Sequence, residues 1–206
     1  SVLSGAKVSG YNDKADEEYD NSAWALQFSG CSIDDAHFVD VVFDTCDLRG
    51  TIFFQCVFEN VTFRNCYMPG ALFLEPLVTG QQGLVFTDSI TRTIAVMGGS
   101  AEGDAPLVFD GVEAPEEGAL ASDQSPGVDG LFLERYNGTW RITNCDFRHL
   151  SVLSCGTGTI RKSSLRLIHV EDLPAPVDVH ASSLHFVDAG NTPDGGETLL
   201  QPRARK

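Results

Sequence analysis

An apolar residue returns every five positions, ten times without a break: Phe28, Ile33, Phe38, Phe43, Leu48, Phe53, Phe58, Phe63, Met68 and Phe73. Two positions before nine of them stands a slim residue: Cys31, Ala36, Val41, Cys46, Thr51, Cys56, Val61, Cys66 and Ala71. The first pentad departs, with the bulkier Leu26 in that slot. A helix repeats every 3.6 residues and a flat strand every 2, so a period of five fits neither. It describes a solenoid whose repeat is its own structural unit. One coil of such a chain cannot bury its apolar face alone. Stacking coils at about 4.8 Å builds the hydrogen-bond ladder and the core together. Large central residues fill the interior, and slim ones let the walls approach.

Blocks such as Cys46-Asp47-Leu48-Arg49-Gly50 and Val61-Thr62-Phe63-Arg64-Asn65 carry a small residue, a polar residue, Leu or Phe, and two variable residues. Over residues 26–75 the pattern resembles the pentapeptide-repeat family. The resemblance implies an all-β right-handed quadrilateral β-helix with four pentapeptides per coil, and a mostly non-catalytic role. Phe38, Phe43, Leu48, Phe53, Phe58, Phe63 and Phe73 are then core residues. Ten pentads make only two and a half coils, about 12 Å of solenoid, so the rest of the chain is expected to extend or cap it.

After Glu75 the pentad lapses and a longer repeat takes over. Gly83-Leu84-Val85-Phe86, Pro106-Leu107-Val108-Phe109 and Gly130-Leu131-Phe132-Leu133 recur at 23 and 24 residues. Ser163-Ser164-Leu165-Arg166-Leu167 and Ser182-Ser183-Leu184-His185-Phe186 recur at 19. Between them Ile142, Phe147 and Val152 restore the pentad, with Trp140, Cys145 and Leu150 two places before. Residues 76–189 read as continued, less regular β-helix, interrupted by an acidic Gly/Pro-rich loop over 110–129. Residues 1–25 read as an N-terminal cap in which Trp24 plugs the first coil, covering an edge that would otherwise invite pairing. Residues 190–206 read as a frayed tail.

The net charge is −15. Residues 99–129 hold eight acids and no Lys or Arg, and the ten repeats hold seven acids against two bases. That excess argues against direct binding to nucleic-acid phosphates. Asp34, Asp40, Asp44, Asp47 and Glu59 form a candidate acidic surface, with Asp44 stacked under Arg64 as a surface ion pair of small worth. No apolar run approaches the roughly 18 residues that span a membrane, and the first residues lack the pattern of a signal peptide. A cytoplasmic setting is expected, with an extramembrane domain of a larger protein as the alternative. The sequons Asn60-Val61-Thr62 and Asn137-Gly138-Thr139 would matter only in a secretory lumen.

No CxxC, HExxH, GxSxG or phosphate loop is present, so no catalytic residue, metal or cofactor is expected. Cys31, Cys46, Cys56 and Cys66 occupy the slim inward slot and read as buried thiols acting as small hydrophobes. Stacking by twenty places Ile52 over Leu72 and Phe54 over Leu74, an apolar patch on an outward wall that marks an interface or is covered by the chain itself. A non-catalytic scaffold that binds a protein partner or a second copy is the first functional reading. The family resemblance implies an alternative, a duplex-DNA mimic acting on DNA gyrase. A further alternative is a carbohydrate-active β-helix with aromatic platforms near Tyr136 and Trp140. Arg49, one position after its repeat centre, is expected to be an exposed side chain of little consequence.

Overall fold

The computed structural model describes residues 2–4, 7–9, 26–114, 130–180, 182–189 and 200–202. The described residues form a parallel β-solenoid with no helix. One wall is an eight-stranded parallel sheet. It runs from Ser32–Asp34 through Ile52–Phe54, Ala71–Leu74, Thr93–Met97, Gly130–Glu134, Asp146–Leu153 and Ser164–Glu171 to Ser183–Ala189. A twelve-stranded sheet wraps a corner to form two more walls, with Val57–Arg64 and Leu77–Thr87 running unbroken across that corner.

The five-residue inward register is present as read. Ile33, Phe53 and Phe73 stack in one column, Phe38 on Phe58 in the next and Phe43 on Phe63 in a third. Rings stack flat along the axis, 4.6 Å apart for Phe43–Phe63 and 4.8 Å for Phe53–Phe73. Across the lumen they meet edge-on, as Phe53 does with Phe38, Phe43, Phe58 and Phe63. Both geometries suit the ring quadrupole, each pair adding about 0.5–1.5 kcal/mol beyond burial. The Phe43 column continues through Phe86 and Phe109 to Ile142, Ile160 and Val179.

Coil length explains where the pentad is lost. Phe63, Phe86 and Phe109 are 23 residues apart, three more than the regular coil. The extra residues fall between Thr79 and Leu84, where the register against Val57–Arg64 shifts. Leu84-Val85-Phe86 therefore stacks on Leu107-Val108-Phe109 as the 23-residue repeat implies. Gly130-Leu131-Phe132-Leu133 does not join that column: it pairs with Thr93–Val96 in the eight-stranded sheet, while Leu107–Asp110 pairs with Trp140–Thr143. Sequence distance counts inserted residues as well as coils, so a similar spacing named the wrong neighbour. The 19-residue repeat is a true stack, with Leu165 on Leu184 and Leu167 on Phe186.

The fifth pentad position, variable in sequence, is the corner of the coil. Asp35, Asp40, Thr45, Gln55, Asn60, Asn65 and Glu75 all hold φ between 51° and 57°. Gly50 and Gly70 do the same job at 58° and 73°. Asn and Asp tolerate this left-handed region best among residues with a side chain. Corner side chains also bond along the axis: Asn60 Nδ2 donates to Asp40 at 3.0 Å and Gln55 Nε2 to Glu75 at 2.7 Å.

The slim position carries more than size. The Thr51 hydroxyl donates to the Phe28 carbonyl (2.7 Å), the Cys56 thiol to Ile33 (3.2 Å), the Cys66 thiol to Phe43 (3.5 Å) and the Thr91 hydroxyl to Met68 (3.2 Å). Each reaches the central residue of the coil below, 23 positions earlier. Cys, Thr and Ser thus satisfy carbonyls that Ala or Val would leave to the ladder alone.

The described parts of both ends contribute strands. Val2–Ser4 pairs with His37–Val39 and Lys7–Ser9 with Val42–Asp44, so the N-terminal segment adds strands. Leu200–Pro202 pairs with Val177–Val179, placing part of the expected tail in the ladder. Trp24 and residues 115–129 of the acidic loop lie outside the described residues.

Cys46, Cys56, Cys66, Cys145 and Cys155 are buried and unbridged, as small hydrophobes should be. Cys31 is exposed, against expectation. The hydrogen bond of the Cys66 thiol to Cys46 and then burial push Cys66 up, and burial pushes Cys145 up to about 12. Thiolate is the reactive form. Ellman's reagent should therefore titrate one thiol per native chain and all six after denaturation. Two or more rapid thiols in the native state would show the slim column to be open.

Candidate functional site

Strand residues alternate between the two faces of a sheet, so the wall that buries Phe53, Phe73, Val96, Leu133 and Val152 presents their neighbours outward. On most sheets with one wet face those neighbours are polar. Here Leu72 sits on Ile52 and Leu74 on Phe54, as the spacing of twenty implies. Phe54 is 37% exposed, and Ile52, Leu72 and Leu74 are half-buried. The column continues past the regular pentads: Ala95 lies on Leu72 and Met97 on Leu74, then Phe132 on Ala95 and Leu153 on Glu134. Ala95 is buried between its larger neighbours, while Met97, Phe132 and Leu153 are half-buried. Sequence reasoning missed this extension because the coils there are no longer twenty residues long.

Towards the far end the wall becomes mixed, with Ser151 on Phe132, His169 on Ser151 and Glu171 on Leu153. The Phe132 and His149 rings lie 5.2 Å apart. Desolvation, then the nearby His169, lowers the His149 pKa, which favours the neutral ring. Polar groups gather at the margins. Asp34, exposed, accepts from the Ser32 hydroxyl at 2.6 Å, and Glu171 lies 3.4 Å from His169 Nε2.

The candidate acidic surface is dispersed. Asp34 and Asp40 are exposed, and half-buried Glu59 lies 3.4 Å from His37 Nε2. Asp44 is buried and paired with Arg64 at 2.8 Å, a closer union than a loose surface pair. Asp47 has no exposure at all. Arg49 folds back over it, with Nε 3.1 Å from both carboxylate oxygens and Nη2 at 2.7 Å, while the Arg49 backbone N–H donates at 3.1 Å. The guanidinium carbon also lies 5.5 Å over the Tyr67 ring, which stacks beside Asp47. Arg49 is therefore no bystander, and Asp44 and Asp47 are not acidic surface. A duplex-DNA mimic requires ordered, exposed carboxylates, and two of the five are consumed internally.

Tyr136 and Trp140 are buried, 0% and 1% exposed, so neither forms a platform for a sugar ring. The Trp140 indole N–H donates to the Gly156 carbonyl at 2.9 Å, and its ring packs where a Cβ on Gly158 would stand. The Tyr136 hydroxyl is buried without a hydrogen-bond partner, and burial pushes its pKa up. An unmet buried hydroxyl is costly. Tyr136→Phe should leave stability unchanged or raise it by about 1 kcal/mol, read from urea denaturation; a loss of that size would reveal a bond to this hydroxyl. Of the two sequons, the Asn60 carboxamide is committed to Asp40 and to the Gln82 N–H, whereas Asn137 is exposed. Among the described residues no group of three or more His, Cys, Asp or Glu could hold a metal ion, and no helix is long and apolar enough to cross a membrane.

No protein-family model matches the sequence, and no curated protein matches it. Among solved structures the chain is similar to QnrB1, a plasmid-mediated fluoroquinolone resistance protein, with 15% identity and a TM-score of 0.48 over 89% of this chain and 90% of that one.

Proposed function

We propose that this chain is a non-catalytic β-solenoid scaffold that binds protein through the outward face of its eight-stranded wall. The observation that carries the reading is the composition of strands Ile52–Phe54 and Ala71–Leu74, apolar on both faces. Parallel strands of that kind are characteristic of sheets covered on both sides. A contiguous apolar patch on a water-facing wall marks an interface. Ile52, Phe54, Leu72 and Leu74 supply its contacts, and the acidic margins keep the free protein dispersed. A photo-crosslinking residue in place of Phe54, in cells that express the protein, should capture a protein adduct that the same residue at Thr62, on another wall, does not. Equal yields at the two positions would remove the reading.

A further inference from the structure

The charges along the two margins of the apolar wall say which partner fits it. The corner where its strands end carries Asp35, Glu75 and Asp172, and the strand-end column inside it adds Asp34 next to Phe54 and Glu171 next to Leu153, while Glu134 is offset by Arg135 at 3.1 Å. The margin where the later strands begin carries exposed Arg148 and Arg166, neighbours in adjacent strands by the pairing of Phe147 with Leu165 and His149 with Leu167. An apolar stripe thus runs between an acid edge and, over its last coils, a basic one.

A surface so arranged complements itself under only one of two rotations. A two-fold interface brings the same patch of each copy together. With the axis parallel to the solenoid, the strands of the two walls run opposite ways and coils meet at the same level. The acid margin of each copy then faces the basic margin of the other, setting Arg166 against Glu171 and Asp172. With the axis along the strands, like margins meet: Asp34 and Asp35 fall against Glu171 and Asp172, and Glu75 against Glu134. We infer that the occupant of this wall is a second copy of the chain, packed face to face with the solenoid axes parallel. The inference rests on the docking face proposed above and adds its partner and orientation.

The net charge of −15 on each copy opposes association. At physiological salt, charges more than about 8 Å apart are largely screened, so the diffuse repulsion fades while margin contacts remain. Apolar burial then supplies the attraction and the margins choose the orientation, the usual division of labour between the two.

Sedimentation equilibrium of the purified chain at about 100 µM should show a dimer, and Leu74→Glu should make it monomeric while it keeps a cooperative melt that no longer depends on protein concentration. A spin label on exposed Cys31, in the first coil of this wall, reads the orientation. Sheets about 10 Å apart with coils about 4.8 Å apart place the two Cys31 positions within about 20 Å in the parallel dimer and about 30 Å apart in the antiparallel one. Arg166→Glu should weaken dimerisation at least about tenfold, equivalent to 1.4 kcal/mol, and adding Glu171→Arg should restore it. A monomeric wild type overturns the self-pairing, as does a Cys31 separation near 30 Å. In either case an adduct captured from position 54 with a different protein would leave the docking face standing.

Discussion

Phe53→Asp should leave the chain without a cooperative melt at room temperature. Phe53 is 1% exposed, its ring stacked 4.8 Å from Phe73 and edge-on to four other phenylalanines. Deleting such a ring costs about 3–5 kcal/mol, and an unpaired carboxylate in its place costs several more. Total stabilities run about 5–15 kcal/mol, so the sum exhausts most of the range. A solenoid couples each coil to its neighbours, and a lesion in the second described coil exposes the stacks on both sides. Circular dichroism against temperature is the measurement. A native-like transition shifted by only a few degrees would mean that Phe53 does not point inward.

Arg49→Ala should destabilise the protein by about 3 kcal/mol, the low end for breaking a buried ion pair by removing one partner. Asp47 is fully buried, and Arg49 supplies three of the side-chain contacts that satisfy its carboxylate. Without the guanidinium the charge keeps the Arg49 backbone N–H and loses its counterion. Arg141, exposed on the strand Trp140–Thr143, is the control: Arg141→Ala should change stability by about 0.5 kcal/mol or less. Asp47→Asn in the Arg49→Ala background should recover part of the loss, since it removes the unpaired charge. Equal denaturation midpoints for the Arg49 and Arg141 variants would mean that Asp47 is solvated.

These two sites divide what is local from what is not. Phe53 belongs to a period repeated ten times in the chain itself, and the inward column follows from that period with no knowledge of any contact. The columns of the patch, Leu72 on Ile52 and Leu74 on Phe54, follow equally, because stacking by twenty is arithmetic while coil length holds. Asp47 looks like any polar residue beside a repeat centre. Its burial depends on Tyr67, one coil away, and on Arg49 folding back.

The sequence by itself determined the solenoid, the identity of its central residues and the apolar patch of the regular coils, because each depends on a repeat of constant length. Tertiary structure decided the rest. Three residues inserted between Thr79 and Leu84 and the longer segment before Gly130 reset the register, so that Ala95, Met97 and Phe132 joined the patch with no spacing to announce them. It also decided that Trp140 and Tyr136 face the core and that Cys31 faces water. Pentad position sets which way a side chain points, but exposure depends on what the coils above and below place against it, and that contact is made between residues 18 to 37 positions apart.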